Sequence, residues 1–346
     1  MNQVPHSSPS SSAVAGHPAH RLAFVAPRHP DGSDWPWLTH IPPFSRHHFE
    51  PHYIENTYKP FEKVSRAYVY TQYVQTLAAI STVDLAFTFS TDICLGLSGH
   101  TSRVFPRPKM VYVGFTQDGP WPVEKVESLS RAMQRYDAVT VFSEVERRMC
   151  IDRYRLDPVR VHVIPIHTDE LDDYRQYTDP APFPHPYILS MGLPNRRFLP
   201  IARACKSRNI PLVIITRPTY KTESLDELAA LGATIITNAD KRKSLTALQH
   251  ARFSVYCFLE PNLPGAVTTI IHANFFRKPV IVSRCFGIDE YVRDAETGIV
   301  VPHEDDAALD RAIDRLWSDP ASTQRMGTIA HERAKERYSL QAAARS

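Results

Sequence analysis

Short apolar runs alternate with segments of helical period along nearly the whole chain, and the alternation stops and restarts once. In the first half the apolar runs are 22–27, 52–54, 83–89, 109–115, 138–143 and 161–165. Helices are expected between them over about 62–80, 123–135 and 144–154. In the first of these, Val64, Tyr68, Thr71, Val74 and Leu77 share one face. In the second half the runs are 187–192, 212–216, 234–236, 253–258, 279–283 and 298–302. Helices are expected over 199–207, 225–231, 244–250, 268–276, 306–317 and 321–338. Strands and helices in strict alternation specify an α/β fold with parallel sheets and right-handed crossovers.

The interruption is 169–186, where Asp and Tyr are frequent and Pro180, Pro182, Pro184 and Pro186 alternate. Such a segment is a stiff linker and not a core element. Two Rossmann-like domains follow, 21–168 and 187–320, with a cleft between them at the carboxyl ends of both sheets. The last segment, 321–346, is expected to be helical and either to finish the second domain or to cross back to the first. The Ser-, Pro- and His-rich residues 1–20 are expected to be a disordered tail.

Composition narrows the function classes. With 346 residues, 43% of them hydrophobic, the chain has ample material for two cores. Forty basic against 37 acidic residues, net +3, do not describe a general nucleic-acid binder. Cys94, Cys150, Cys205, Cys257 and Cys285 form no Cys-x-x-Cys pair and no zinc spacing, so they read as reduced core thiols of a cytoplasmic protein. No apolar run reaches the ~18 residues of a membrane-spanning helix, which leaves at most peripheral membrane association. The N-terminus lacks the apolar stretch of a signal peptide.

Three segments that follow strands carry candidate chemistry. Gly265, Ala266, Val267, Thr268 and Thr269 lead from a strand into an apolar helix, with His272 one turn on. Gly265 permits close backbone approach, Thr268 or Thr269 can cap, and the free N–H groups of a helix start offer an anion site. An ordinary capped helix explains the same residues. Gly192, Asn195, Arg196 and Arg197 place two guanidinium groups in a loop at a strand's end, suited to phosphate or simply solvated. In the third, Gly287 allows a tight turn, and Glu290 either accepts from sugar hydroxyls or caps the helix that begins there. All three loops should meet at one end of one sheet.

At these residues the chain resembles a known family. The segments VFSEVERRMCIDRYRLDPVRVHVIP (141–165), PYILSMGLPNRR (186–197), GAVTTIIHANFFRKPVIVS (265–283), GIDEYVRDAETGIVVP (287–302) and RMGTIAHERAKERYS (325–339) look, in order and spacing, like the retaining GT-B glycosyltransferases of the GT4, or glycosyl transferases group 1, type. The resemblance spans roughly 139–339. It implies a GT-B fold and a nucleoside-diphosphate-sugar donor bound by the second domain, without an obligatory metal or other cofactor. Arg196 would lie near the diphosphate, and 265–269 would contact phosphate and sugar. Where the family has a Glu-x7-Glu pair, this chain has Pro264 and His272, and Ile166-His167 replaces the family's Asn-Gly. Histidine can still hold a ribose hydroxyl.

The expected activity is transfer of a sugar to a hydroxyl on a glycan, a glycolipid or a small acceptor, with retention. Asp118, in Thr116-Gln117-Asp118-Gly119, and His100 are the catalytic candidates for activating the acceptor. A turn former and a surface loop residue are their plain alternatives. A sugar-nucleotide-binding protein without turnover, a nucleotide-sugar epimerase and a sugar phosphorylase stay open as other readings of the same fold. A dinucleotide oxidoreductase is less favoured, because neither leading strand is followed by Gly-x-Gly-x-x-Gly.

Overall fold

A computed structural model of the chain describes residues 82–88, 108–116, 122–168, 180, 183, 186–192, 195–217 and 223–343, together with the backbone of two strands at 20–25 and 49–53. The expected tail, the helix over 62–80, most of the linker, Cys94, His100 and Asp118 lie outside these residues.

The first half builds β1 (His20–Val25), β2 (Phe49–Tyr53), β3 (Leu85–Thr88), β4 (Lys109–Tyr112), α1 (Val123–Met133), β5 (Ala138–Val141), α2 (Glu144–Tyr154) and β6 (Val161–Val163). The six strands form one parallel sheet in the order β2-β1-β3-β4-β5-β6. Met110, Tyr112, Val139 and Val141 pack with Leu129, Ala132 and Met133 of α1 and Cys150 and Tyr154 of α2.

The second half builds β7 (Ile188–Met191), α3 (Leu199–Ser207), β8 (Leu212–Thr216), α4 (Leu225–Ala230), β9 (Thr234–Thr237), α5 (Lys241–His250), β10 (Phe253–Tyr256), α6 (Val267–Phe275), β11 (Val280–Ser283), α7 (Ile288–Tyr291), β12 (Gly298–Val301), α8 (Asp306–Ser318), α9 (Pro320–Tyr338) and α10 (Leu340–Ala343). Its sheet is also parallel, in the order β12-β11-β10-β7-β8-β9. The continuous apolar runs are explained by burial on both faces. Ile188, Ile214, Val255 and Ile281 pack toward α3 and α8. Their neighbours Leu189, Val213, Tyr256 and Val282 pack toward α6 and α9. The strand order reverses between β7 and β10, and a ligand crevice belongs outside the carboxyl ends at such a point.

Three helix starts differ from the sequence reading, that of α6 by one residue, at Val267 and not 268. Helix α5 begins at Lys241, not 244, because the Asp240 carboxylate accepts the Lys243 N–H at 2.7 Å. The basic run 241–243 obscured that cap. Helix α9 begins at Pro320, capped by Asp319. It packs against α6, and Gly327 sits where an added Cβ would strike the Arg277 carbonyl. Its end returns to the first domain's exit, where Thr168 N–H donates to the Tyr338 carbonyl at 3.1 Å and Thr168 bridges to Ser339.

Cys150, Cys205, Cys257 and Cys285 are buried free thiols, each pushed up to about 12 chiefly by burial. Among the described residues, no helix is long and apolar enough to cross a membrane.

Candidate functional site

Between the two sheets lies an open cleft of about 190 Å³. Thr116, Phe142, Ser143, Glu146 and Ile166 line it from the first domain, and Pro264 to Thr268, Phe286, Gly287 and Tyr291 from the second. They come from the segments that follow β4, β5, β6, β10 and β11, as a cleft at the carboxyl ends of the sheets requires.

Helix α6 starts in this cleft. Its N-cap is Ala266, in a left-handed conformation (φ 54), and no side chain caps it. The expected capping by Thr268 or Thr269 therefore does not occur, since both lie inside the helix and Thr268 is exposed. The first intrahelical bond runs from Ile270 N–H to the Ala266 carbonyl. The amides of Val267, Thr268 and Thr269 precede it and have no carbonyl within the helix to meet. Such a start attracts anions. The Gly265 amide itself donates to the Cys285 thiol.

Arg196, from the β7 loop, packs behind the α6 start and is not among the residues that line the cleft. It is only 7% exposed. Its Nε donates to the Met191 carbonyl at 3.3 Å, and its guanidinium carbon lies 5.1 Å from the centroid of Phe258. Gly265 lies against the same ring, and an added Cβ there would come 2.4 Å from it. Gly192 makes room for the guanidinium: its φ is 142, and a Cβ there would come within 2.4 Å of Arg196 Nε. Burial lowers the Arg196 pKa. The β7 loop and the α6 start are thus neighbours joined through Phe258.

The other two members of that loop are engaged elsewhere. Asn195, at φ 57, pairs through its side chain with both backbone groups of Glu260, at 2.7 and 3.0 Å. Arg197 forms a forked pair with Asp306 of α8, at 2.9 and 3.4 Å, and is not presented to a phosphate. Asp305 next to it caps α8 by accepting the Ala308 N–H.

His272 lies on the second turn of α6, partly buried, and does not line the cleft. Burial first, and Lys241 second, hold its imidazole down at about 4, so it is neutral near pH 7. A neutral ring offers one donor and one acceptor.

Glu290 departs from both sequence alternatives. Gly287 (φ 73), not Glu290, is the N-cap of α7. The Glu290 carboxylate crosses to the first domain and accepts the Val145 and Glu144 amides, both at 2.9 Å. It caps α2 and is not directed at a sugar hydroxyl.

Glu146 was missed by the sequence reading. It is 3% exposed and lines the cleft. Its carboxylate accepts from Thr116 Oγ1 at 2.8 Å, from Phe142 N–H at 2.9 Å and from Ser143 Oγ at 3.0 Å. Burial raises its pKa, Glu290 adds to the rise, and the three hydrogen bonds oppose it. The Ser143-x-x-Glu146 spacing of a capping box was the available signal. Among the described residues, no three His, Cys, Asp or Glu side chains gather so as to hold a metal ion.

The overall fold recurs among known structures. The structure superimposes on a sucrose-phosphate synthase from Thermosynechococcus elongatus with a TM-score of 0.70, at 16% identity, covering 94% of this chain and 96% of the other. Anabaena HepE, solved in complex with UDP and glucose, gives 0.66 at 13% identity, covering 95% and 98%. A glycosyltransferase from Rickettsia africae gives 0.64 at 14% identity, covering 95% and 97%. The fold is that of the GT-B glycosyltransferases. Within it, residues 203–333 match the model of the family described as glycosyl transferases group 1. That GT-B segment runs from α3 to α9 and includes the α6 start, His272 and Glu290. No curated protein matches the chain by sequence.

Proposed function

We propose that the chain is a glycosyltransferase of the GT4 type, moving a sugar with retention from a nucleoside-diphosphate sugar to a hydroxyl of a glycan, a glycolipid or a small acceptor. The observation that carries this reading is the uncapped start of α6, whose amides of Val267 and Thr268 border the cleft between the sheets. A diphosphate bound there would meet a ready set of N–H donors. The UDP complexes of the Anabaena neighbour support the donor class.

In this reading two developing charges need stabilising: the departing diphosphate and the oxocarbenium-like sugar. The α6 amides and Arg196 address the first, with no metal asked for. His272 lies on the same helix but does not line the cleft, so it is given no contact with the nucleotide. The two domains, closed on the substrate, would exclude water and align the acceptor. Asp118 and His100 remain the proposed groups on the acceptor side.

A thermal-shift screen of UDP-, GDP-, ADP- and TDP-sugars tests the reading, followed by donor hydrolysis with the best of them. One base should raise the melting temperature well above the others, and its sugar should be released slowly without acceptor. Equal melting with all donors and none would refute it.

A further inference from the structure

The two domains are fastened by consecutive residues of one four-residue helix. Glu290 of α7 accepts the first two amides of α2, those of Glu144 and Val145. The third, that of Glu146, bonds to Ser143 Oγ at 3.2 Å. The orphaned N-terminal amides of an eleven-residue helix are thus met largely by a carboxylate from the opposite domain, and the helix dipole favours that charge. Beside it, the Tyr291 hydroxyl donates to the Phe142 carbonyl at 2.8 Å. Gly287 begins the same helix, and a Cβ there would stand 3.6 Å from Ser143 Oγ, so the domains meet at this point.

The fastening is braced from behind. The Glu290 carbonyl receives Arg333 Nη2 at 3.0 Å and the Tyr338 hydroxyl at 2.7 Å. Tyr291 stacks on Tyr338, their centroids 5.4 Å apart. Tyr338 is also the residue whose carbonyl takes the Thr168 amide at the first domain's exit. One end of α9 therefore holds both the contact across the cleft and the point where the chain leaves the first domain. Phe142, Ser143, Gly287 and Tyr291 all line the cleft.

We propose that Glu290, with Tyr291, is a clasp that sets the separation of the two domains and hence the width of the cleft. Glu290 is then a positioning residue that acts through α2. The proposal does not depend on what the cleft binds.

Small-angle X-ray scattering of the ligand-free chain tests it, comparing wild type with Glu290→Ala, Glu290→Gln and Tyr291→Phe. Glu290→Ala should enlarge the radius of gyration. Glu290→Gln keeps one carbonyl acceptor for one of the two amides and should recover part of the compact form. Tyr291→Phe should expand the particle less than Glu290→Ala. Hydrogen exchange at the Glu144 and Val145 amides should quicken in the same order. A purely local role for α7 would lower the melting temperature without expanding the particle. Where Glu290→Ala fails to fold, the other two variants carry the comparison. Superimposable scattering from wild type and every folded variant overturns the clasp. Failure to bind any sugar nucleotide would leave it standing, because no ligand is present in the measurement.

Discussion

Gly265→Ala is the smallest change that disturbs the α6 start and Arg196 together. The new methyl would lie 2.4 Å from the Phe258 ring, well inside contact distance. The ring has little room to retreat. Phe258 is buried, its amide donates to Ser283 Oγ at 3.1 Å, and the buried Arg196 guanidinium lies 5.1 Å from the ring centroid. Either Phe258 pushes Arg196 or the backbone before α6 moves. Overpacking of this kind costs about 1–3 kcal/mol. At about 2 kcal/mol, with a domain of this size losing roughly 2–4 °C per kcal/mol, the melting temperature should fall by about 4–8 °C. The Val267 and Thr268 amides shift with the backbone, so UDP should bind about tenfold more weakly, equivalent to about 1.4 kcal/mol. Calorimetric melting and UDP titration measure both effects. A variant melting within about 1 °C of wild type, with unchanged UDP affinity, would refute the packing of Gly265, Phe258 and Arg196 as one unit.

Arg197→Ala removes a partly exposed pair with Asp306; stability should drop by about 1 kcal/mol or less, and UDP affinity should stay as it was. A tenfold loss of affinity would return Arg197 to the ligand site. For His272, the folded chain holds the imidazole near 4, while the unfolded chain titrates near about 6.5. Between these values the unfolded state binds a proton that the folded state does not, so stability falls as the pH drops through that window and levels below it. The slope should approach about 1.4 kcal/mol per pH unit. His272→Gln should abolish this component; wild type and variant differing by a constant amount from pH 7 to 4.5 would contradict it.

The architecture was legible because each strand of the second domain carries its own evidence. The runs at 188–191 and 212–216 are mostly apolar and buried at every position, and only a covered sheet accommodates that. Helices α2 and α3 came out at their sequence-read limits because their caps and periods are local. What failed involves partners distant in sequence. Glu290 and Val145 are 145 residues apart, and Arg197 and Asp306 are 109 apart, so nothing near either residue announces the pairing. The α6 cap failed for a different reason. Alanine rarely takes a positive φ, so Ala266 as a left-handed N-cap runs against its own preference and leaves the threonines inside the helix. That the β7 loop and the α6 start share one end of the sheet was legible, because both follow strands of a parallel sheet; that β7 lies beside β10 came only from the structure.

The proposed donor site rests on the α6 amides gripping a diphosphate, with the Arg196 guanidinium behind them over Phe258. Isothermal titration of UDP into wild type and Arg196→Ala probes it most directly. Saturable binding by wild type and a loss of about 2 kcal/mol, roughly thirtyfold, in the variant are expected. Equal affinity in the two proteins, or no binding by wild type, would contradict it.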